Sequence, residues 1–508
     1  VRTEPLAFDR FDSRRLYFGA NVVFVTTNGG MSWRAVSPDL TRTHPAIPPT
    51  IAGFEGDDPQ TGTHRGVVYA LAPSYVRRGT LWVGTDDGLV WVTRDAFDAS
   101  PRWKNVTPPA LTPWSKVAQI DASRFGDDTA FVAVNRLRLD DLRPYVYVTR
   151  DGGARWTLAV NGLPNAPVNA VRQDPVERRL LYAATENGVA VSFDEGAHWQ
   201  PLQLNLPRTS VRDLIVVGND LAIATHGRGF WILDDVEPLR ELADNASLPF
   251  DFAQGRQAQG GKTLLFQPAL AYRVRRSVNT DTPLPPEEPA GENPPDGAIL
   301  DYSLASPAQR VSLSIFDSGG RLVRRYSSAD AVPAPIAHLD KPAYWERPFM
   351  RPATGAGMHR FVWDLREAPP AALQQDLPIS AVAHRTPRVP EGVLVVPDRY
   401  TVRLEADGQT MERPLQLVMD PRVSISQVAL EQQYRLAARV VRVMNRSAAG
   451  VRAAQSARNA GRAAAESGLN AAAAALLDTI EGADAPPTRQ AADAVRTLEG
   501  RESSPSNR

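Results

Sequence analysis

Short apolar runs of about four to six residues, separated by turn residues, fill the first half of the chain. They come in pairs: "LYFGANVVFVTTNGG" from Leu16, "LWVGTDDGLVWVTRD" from Leu81, "LYAATENGVAVSFDEG" from Leu181 and "LAIATHGRGFWILDD" from Leu221. A fifth pair, "AFVAVNRLRLDDLRPYVYVTRDGG" from Ala130, has a longer turn between its runs. Runs this short, flanked by Gly, Asp and Asn, predict antiparallel strands rather than helices. Strand patterns return from Ala298 to about Pro421, in "AILDYSL", "RVSLSIFDSGGRLVRRYS", "GMHRFVWDLR" and "DRYTVRLEADGQTMERPLQLVMD". From Ser424 the spacing becomes helical in an Ala- and Arg-rich stretch, which predicts two or three helices before a disordered "GRESSPSNR" end.

Three segments share the pattern Ser/Thr-x-Asp/Asn-x-Gly-x-x-Trp: "TTNGGMSW" from Thr26 to Trp33, "TRDGGARW" from Thr149 to Trp156 and "SFDEGAHW" from Ser192 to Trp199. A fourth, "TRDAFDASPRW" from Thr93 to Trp103, begins the same way and carries an insertion. The chemistry is that of a hairpin turn. Asn28, Asp151 and Asp194 accept from turn N–H groups, Gly30, Gly153 and Gly196 take positive φ, and Trp33, Trp156 and Trp199 pack back into the core. This is the pattern of the Asp-box, or BNR, repeat. Boxes recurring about 43 residues apart (Trp156 to Trp199), each preceded by short strands, predict a partial β-propeller of about four and a half blades. An unclosed propeller leaves strand edges unpaired. The remaining blades are expected upstream, because the start "VRTEPLAFDRFDSRRLYFGAN" has neither Met nor an apolar leader core and reads as truncated.

In an up-and-down blade successive turns alternate between faces. The box turns are third turns, so the second turns lie on the opposite face, where propellers usually take ligands. That places Asp86, Asp87, Glu186, Asn187, His226 and Arg228 on the expected ligand face. The longer turn from Arg136 to Arg143, with Arg138, Asp140 and Asp141, joins them, as do His64 and Arg65 before a first strand. Arginines could clamp an acidic ligand and His226 could act as acid or base. The plainer alternative is that Gly227 and Gly229 shape a tight turn while His226 and Arg228 bond neighbouring blades. Phe230 and Trp231 are expected in the blade core. Asp86, Asp87 and Glu186 are the catalytic candidates, since glycoside hydrolysis needs two carboxylates roughly 5–10 Å apart. Carboxylates are also ordinary turn residues.

Several of these segments, in this order, resemble large exported bacterial proteins with a sortilin (Vps10)-like N-terminal propeller. They are "LWVGTDDGLVWVTRD", "RLDDLRPYVYVTRDGG", "VSFDEGAHWQPLQLNLP", "ATHGRGFWILDD", "NTDTPLPPEEPAGENPPDGAILDY", "GMHRFVWDLR" and "YTVRLEADGQT". That family is often labelled glycosyl hydrolase, sialidase-like or BNR-repeat. The resemblance covers roughly Pro5 to Val423 and implies an extracellular or periplasmic protein with a peptide or carbohydrate ligand. The Cys-rich module of true sortilins does not carry over, because the chain has no Cys. The Phe/Tyr-Arg-Ile-Pro strand of sialidases is also absent from the sequence.

The resulting division is 1–277 for the propeller blades, with "KTLLFQPALAYRVRRS" (Lys262 to Ser277) as a last outer strand. Then come 278–297 as a Pro-rich linker, 298–421 as an Ig-like β-sandwich, 422–500 as helices and 501–508 as a disordered tail. Asn245-Ala246-Ser247 fits a glycosylation sequon. The 57 basic and 57 acidic residues balance, so no general attraction to nucleic acid follows. No apolar run is long enough for a membrane helix. No metal-ligand spacing, phosphate loop or nucleophile elbow stands out, so no cofactor is expected. Three functions stay open: a ligand-binding propeller, a glycoside hydrolase and a structural scaffold.

Overall fold

The computed structural model describes residues 4–43, 45, 48–50, 66–244, 250–251, 256–257, 262–275, 294–379 and 384–503. The chain divides into two compact units, Val1–Gly261 and Lys262–Arg508. The fold is mostly β, with a helical segment at the C-terminal end of the second unit.

The first unit is a row of five blades. Blade 1 contains β1 (Leu6–Phe8), β2 (Leu16–Gly19), β3 (Val23–Thr26) and β4 (Arg34–Ala35). Blade 2 contains β5 (Val68–Pro73), β6 (Leu81–Thr85), β7 (Val90–Thr93) and β8 (Trp103–Asn105). Blade 3 contains β9 (Lys116–Ala122), β10 (Ala130–Asn135), β11 (Val146–Thr149) and β12 (Thr157–Leu158). Blade 4 contains β13 (Val168–Gln173), β14 (Leu181–Thr185), β15 (Gly188–Ser192) and β16 (Gln200–Pro201). Blade 5 has three strands, β17 (Val211–Val217), β18 (Asp220–Thr225) and β19 (Phe230–Leu233). Each sheet is an antiparallel meander whose strands neighbour one another in chain order.

The first strands pack side by side, β5 on β9, β9 on β13 and β13 on β17. Each interior sheet is therefore covered on both faces, which is why β6, β10 and β14 are buried along their whole length. Apolar clusters fill the gaps. Tyr17, Val25, Val68 and Leu81 lie between blades 1 and 2. Trp82, Val92, Val132 and Tyr147 lie between blades 2 and 3, and Phe131, Val148, Val171 and Leu181 between blades 3 and 4. Each such side chain contributes about 1.5–3 kcal/mol by leaving water.

After blade 5, α1 (Glu237–Asp244) returns to the sheets. Its Arg240 is buried and donates to Asp174 Oδ1 of blade 4 (3.0 Å), to Asn219 Oδ1 (2.7 Å) and to the Gly218 carbonyl (3.0 Å). A short hairpin follows, β20 (Phe250–Asp251) with β21 (Arg256–Gln257). The sequon at Asn245 and the residues His64 and Arg65 lie outside the described residues.

The second unit corrects one sequence expectation. Its strands are β22 (Leu264–Leu265), β23 (Ala271–Arg273), β24 (Ala298–Leu304), β25 (Val311–Phe316), β26 (Leu322–Ser327), β27 (Gly357–Trp363), β28 (Arg399–Ala406) and β29 (Gln409–Met419). They form a three-stranded sheet, β22-β24-β27, and a five-stranded sheet, β23-β29-β28-β25-β26, with one core between them. The stretch from Lys262, expected as an outer propeller strand, instead supplies β22 to the first sheet and β23 to the second. The parallel pairing of Ala271 with Leu417 gives no local signal, because the two partners are far apart in the chain. By contrast the Asp407-Gly408 turn between β28 and β29 has both residues at positive φ, as the dipeptide predicts.

Three helices complete the unit: α2 (Gln427–Ser456), α3 (Ala460–Glu481) and α4 (Arg489–Ser503). Ser426 and Asn459 cap the first two by accepting from the Ala429 and Arg462 N–H groups. The last helix continues past residue 500, where a disordered tail was expected, since no proline interrupts it before Pro505. Among the described residues no helix is long and apolar enough to cross a membrane.

Candidate functional site

The two ends of the blades differ, so the turns decide where a site can be. At one end, the eight-residue turns share one bonding scheme. The Thr26 hydroxyl donates to Asn28 Oδ1 (2.9 Å) and accepts from the Gly30 N–H (3.0 Å), while Asn28 Oδ1 accepts from the Ser32 N–H (3.1 Å). Thr149, Asp151 and Gly153 repeat it, as do Ser192, Asp194 and Gly196. Gly30, Gly153 and Gly196 all have φ between 84° and 90°. The turn with the insertion keeps the core of the scheme: Thr93 donates to Asp95, which accepts from the Arg102 N–H. Bonds from Arg155, backbone first and side chain second, hold the Asp151 carboxyl down at about 2.

Three of the four Trp that end these turns tie their blade to the one before. The Trp103 indole donates to the Val36 carbonyl (2.8 Å), Trp156 to Val106 (2.7 Å) and Trp199 to Ala159 (3.0 Å). Trp199 is buried and Trp156 half-buried. Trp33, expected in the core, is 42% exposed, because no described blade precedes it.

The second turns lie at the opposite strand ends, and no two are alike. In blade 2, Asp86 and Asp87 are buried. Asp86 accepts from the Val67 N–H (2.8 Å) and from Arg138 of blade 3 (3.0 Å). Asp87 accepts from the Arg42 N–H (2.7 Å) and the Thr85 hydroxyl (2.5 Å). Burial pushes the Asp87 carboxyl up, against those two bonds. The close approach of Gly66 closes the site further, since a Cβ there would stand 2.1 Å from Asp87 Oδ2. In blade 4, Glu186 accepts from Asn169 (3.1 Å) and Arg212 (2.9 Å). Asn169 also accepts from Asn135 of blade 3 and donates to the Val211 carbonyl of blade 5, so one side chain spans three blades.

The long turn of blade 3 is built differently. One 3-10 turn, Leu137–Leu139, ends at Asp140 in the left-handed region, φ 52°. Asp141 takes a bidentate pair from Arg143 (2.9 Å each) and the Tyr145 hydroxyl (2.7 Å), with Arg136 at 3.2 Å. The Arg143 bonds, and after them the Tyr145 hydroxyl, hold the Asp141 carboxyl well below its ordinary value despite partial burial. Arg136 also reaches Thr112 (3.1 Å) and lies over the Tyr145 ring. Around these groups is an open depression of about 550 Å³, lined by Arg136, Leu139, Asp140, Asp141, Leu142, Arg143 and Asn165. Asn165 comes from the connection between blades 3 and 4. The structure thus gathers Arg136, Asp140 and Asp141 at one place and sets Arg138 on Asp86 beside them.

Blade 5 bears out the glycine part of the plainer reading of "THGRG" but not the bonds to neighbouring blades. Gly227 and Gly229 have φ of 85° and 70°, and the turn closes through the Thr225 hydroxyl and the Gly229 carbonyl. The His226 and Arg228 side chains are exposed and make no side-chain hydrogen bond to another blade among the described residues. Phe230 is exposed, contrary to the core expectation, because no described blade covers that side of the sheet; Trp231, on the opposite side in register with Ile223, is half-buried and donates to the Arg228 carbonyl (3.0 Å). Sequence reasoning passed over Tyr145 and Asn165. Tyr145 sits at the head of an apolar strand run and reads there as core. A smaller depression of about 370 Å³, at the opposite end between Arg94, Asp95, Arg102, Lys104, Asp128 and Asp151, was equally invisible.

No protein-family model matches the chain, and no curated protein matches it. Many solved structures are weakly similar, among them three GH74 enzymes. An ancestral GH74 enzyme shares 14% identity over 64% of this chain and 38% of that one, at a TM-score of 0.33. The GH74 enzyme of Niastella koreensis shares 10% over 81% and 53%, at 0.33. The GH74 xyloglucanase of Xanthomonas campestris shares 15% over 81% and 64%, at 0.36. The chain spans less than two thirds of the length of each of them.

Proposed function

We propose that the chain is a propeller-type ligand-binding protein that takes an extracellular peptide or glycan at the second-turn face of blade 3. The observation that carries this reading is the contrast between carboxylates and arginines there. Asp86, Asp87 and Asp141 are held by backbone N–H groups, hydroxyls and arginines. The Arg143 side chain remains 69% exposed, beside the exposed Asp140 and Asn165. Such a set fixes a polar ligand by hydrogen bonds. The resemblance of the repeated turns to the Asp-box and sortilin-like propellers supports the same reading and implies an exported setting. Hydrolysis requires two carboxylates facing one sugar bond, and the adjacent Asp86 and Asp87 are sealed inside the blade.

The test is binding of the 508-residue chain to arrays of polysaccharides and peptides, followed by calorimetry on the best ligand. Arg143→Ala is expected to weaken binding by about 10- to 100-fold, since charge-assisted hydrogen bonds are worth about 1.5–3 kcal/mol. Release of reducing sugar that is lost in Asp86→Ala or Glu186→Ala would overturn the reading in favour of a hydrolase.

A further inference from the structure

A second device repeats along the blades, at the same strand ends as the eight-residue turns. The first turns of blades 1 to 4 are all seven residues long: 9–15, 74–80, 123–129 and 174–180. Each is closed by the same three bonds. The N–H of the first residue donates to the carbonyl of the seventh, and the N–H of the seventh to the carbonyl of the fourth. The side chain of the first residue, Asp9, Ser74, Ser123 or Asp174, accepts from the N–H of the third at 2.8–3.2 Å. That third residue is Phe11, Val76, Phe125 or Val176, at 48%, 42%, 38% and 64% exposure. Blades 2, 3 and 4 each have a described blade on either side, so no missing neighbour accounts for the exposure of their tips. Single apolar residues on a surface are ordinary. One position that is apolar and exposed in four turns of four is a pattern, and it packs on no other blade. The second residues of the first three turns also meet. Arg10 of blade 1 and Arg124 of blade 3 both lie over the Tyr75 ring of blade 2, at 4.5 and 3.8 Å. Beside them Arg15 and Arg78 lie over Phe97, at 4.0 and 4.2 Å. Arg15 is buried, and its Nε and Nη1 have no hydrogen-bond partner among the described residues. Arg10, Arg78 and Arg124 are exposed and form no ion pair among the described residues. Every carboxylate of the four turns, by contrast, is bonded within the protein.

We propose that this end of the blades docks on a bilayer surface of anionic phospholipids. The four apolar tips enter the headgroup layer, and Arg10, Arg78 and Arg124 meet lipid phosphates. The two kinds of group match the two parts of such a surface. Apolar side chains gain by leaving water at the headgroup boundary, and cations gain from the negative heads, and the two terms add in interfacial binding. Stacking on Tyr75 and Phe97 orders the guanidinium groups before any lipid arrives, which lowers the entropy cost of the contact. A soluble polyanion would satisfy the arginines and leave the tips in water. The proposal concerns the end opposite the ligand site on blade 3 and does not rest on it.

Co-sedimentation of the 508-residue chain with vesicles tests it. Each arginine near an anionic surface is worth about fivefold in binding. Vesicles of equal parts phosphatidylglycerol and phosphatidylcholine should therefore bind at least about 100-fold more tightly than phosphatidylcholine alone, at low salt. Arg78→Ala with Arg124→Ala should weaken that binding by about 25-fold. Val76→Ser with Phe125→Ser should weaken it by about tenfold or more. All four residues are exposed, and a thermal midpoint matching the wild type confirms that each variant is folded. The chain has no Cys, so Phe125→Cys and Arg228→Cys each give one site for an environment-sensitive dye. On anionic vesicles the dye at 125 should shift to the blue, and the dye at 228, at the opposite strand ends, should not. A chain that stays in the supernatant with anionic vesicles overturns the proposal. So does binding that either variant retains in full; retention by the serine variant alone would mark the surface as one for soluble polyanions.

Discussion

The eight-residue turns at one end of the blades and the second turns at the other have the same strands beneath them, yet they diverge completely. At the first end, three turns repeat one bonding scheme and a fourth keeps its core despite an insertion. At the second, one turn seals two carboxylates in the blade, one lies on a neighbouring Asn, one builds an Arg–Asp–Tyr cluster and one leaves its cation in solvent. Repetition marks what every blade needs in order to pack on the blade before it. Divergence marks the end at which each turn bonds its neighbours differently, and the proposed ligand site lies there.

Variants can sharpen or break that contrast. Trp199→Ala should have the largest effect. The ring is buried between blades 3 and 4 and its indole holds the Ala159 carbonyl. Truncation should destabilise the propeller unit by about 3–5 kcal/mol in chemical denaturation, with ligand affinity at blade 3 retained. Next comes Gly153→Ala, where φ is +84° and a Cβ would stand 2.5 Å from Val106 Cβ. Strain and overlap should cost about 1–3 kcal/mol, read from the same transition. If either variant abolished binding while the fold persisted, the division of labour between the two ends would be wrong.

Acid should act at both ends, through Asp151 at the repeated turns and through Asp141 at the second turns. The folded Asp141 carboxyl titrates below its ordinary value of 3.8, so its contribution to stability is present above that value and disappears as pH falls through the lower, folded one. Thermal midpoints measured between about pH 5 and pH 2 should therefore fall less steeply in Asp141→Asn than in the wild type. The smallest effect belongs to His226→Ala combined with Arg228→Ala. Both side chains are exposed, and the midpoint should correspond to a change within about 0.5 kcal/mol. A larger loss would show that this turn braces the blade after all.

The same contrast explains what the sequence disclosed. The repeated turn is local: its hydrogen bonds join residues two to four positions apart, so eight letters contain the whole device. The strand pairs were legible for the same reason, since each meanders to its neighbour. The destination of the stretch from Lys262 was not, because its strands pair with distant partners such as Tyr302 and Leu417. Burial at the ends was not legible either. Trp33 carries the same letter as the buried Trp199 and differs in having no described blade against it, and Phe230 is exposed for the same reason. The blade 3 cluster depends on Arg143 and Tyr145 folding back on Asp141, which the spacing of charges alone does not reveal.

Arg240 gives the last blade a mechanical character. By gripping Asp174 in blade 4 together with Asn219 and Gly218 in blade 5, it rivets α1 across both sheets. A pull on the chain beyond Asp244 would load this rivet before it reached the strands of blade 5. The first event under tension should then be rupture of one buried ion pair, and only afterwards the peeling of β19.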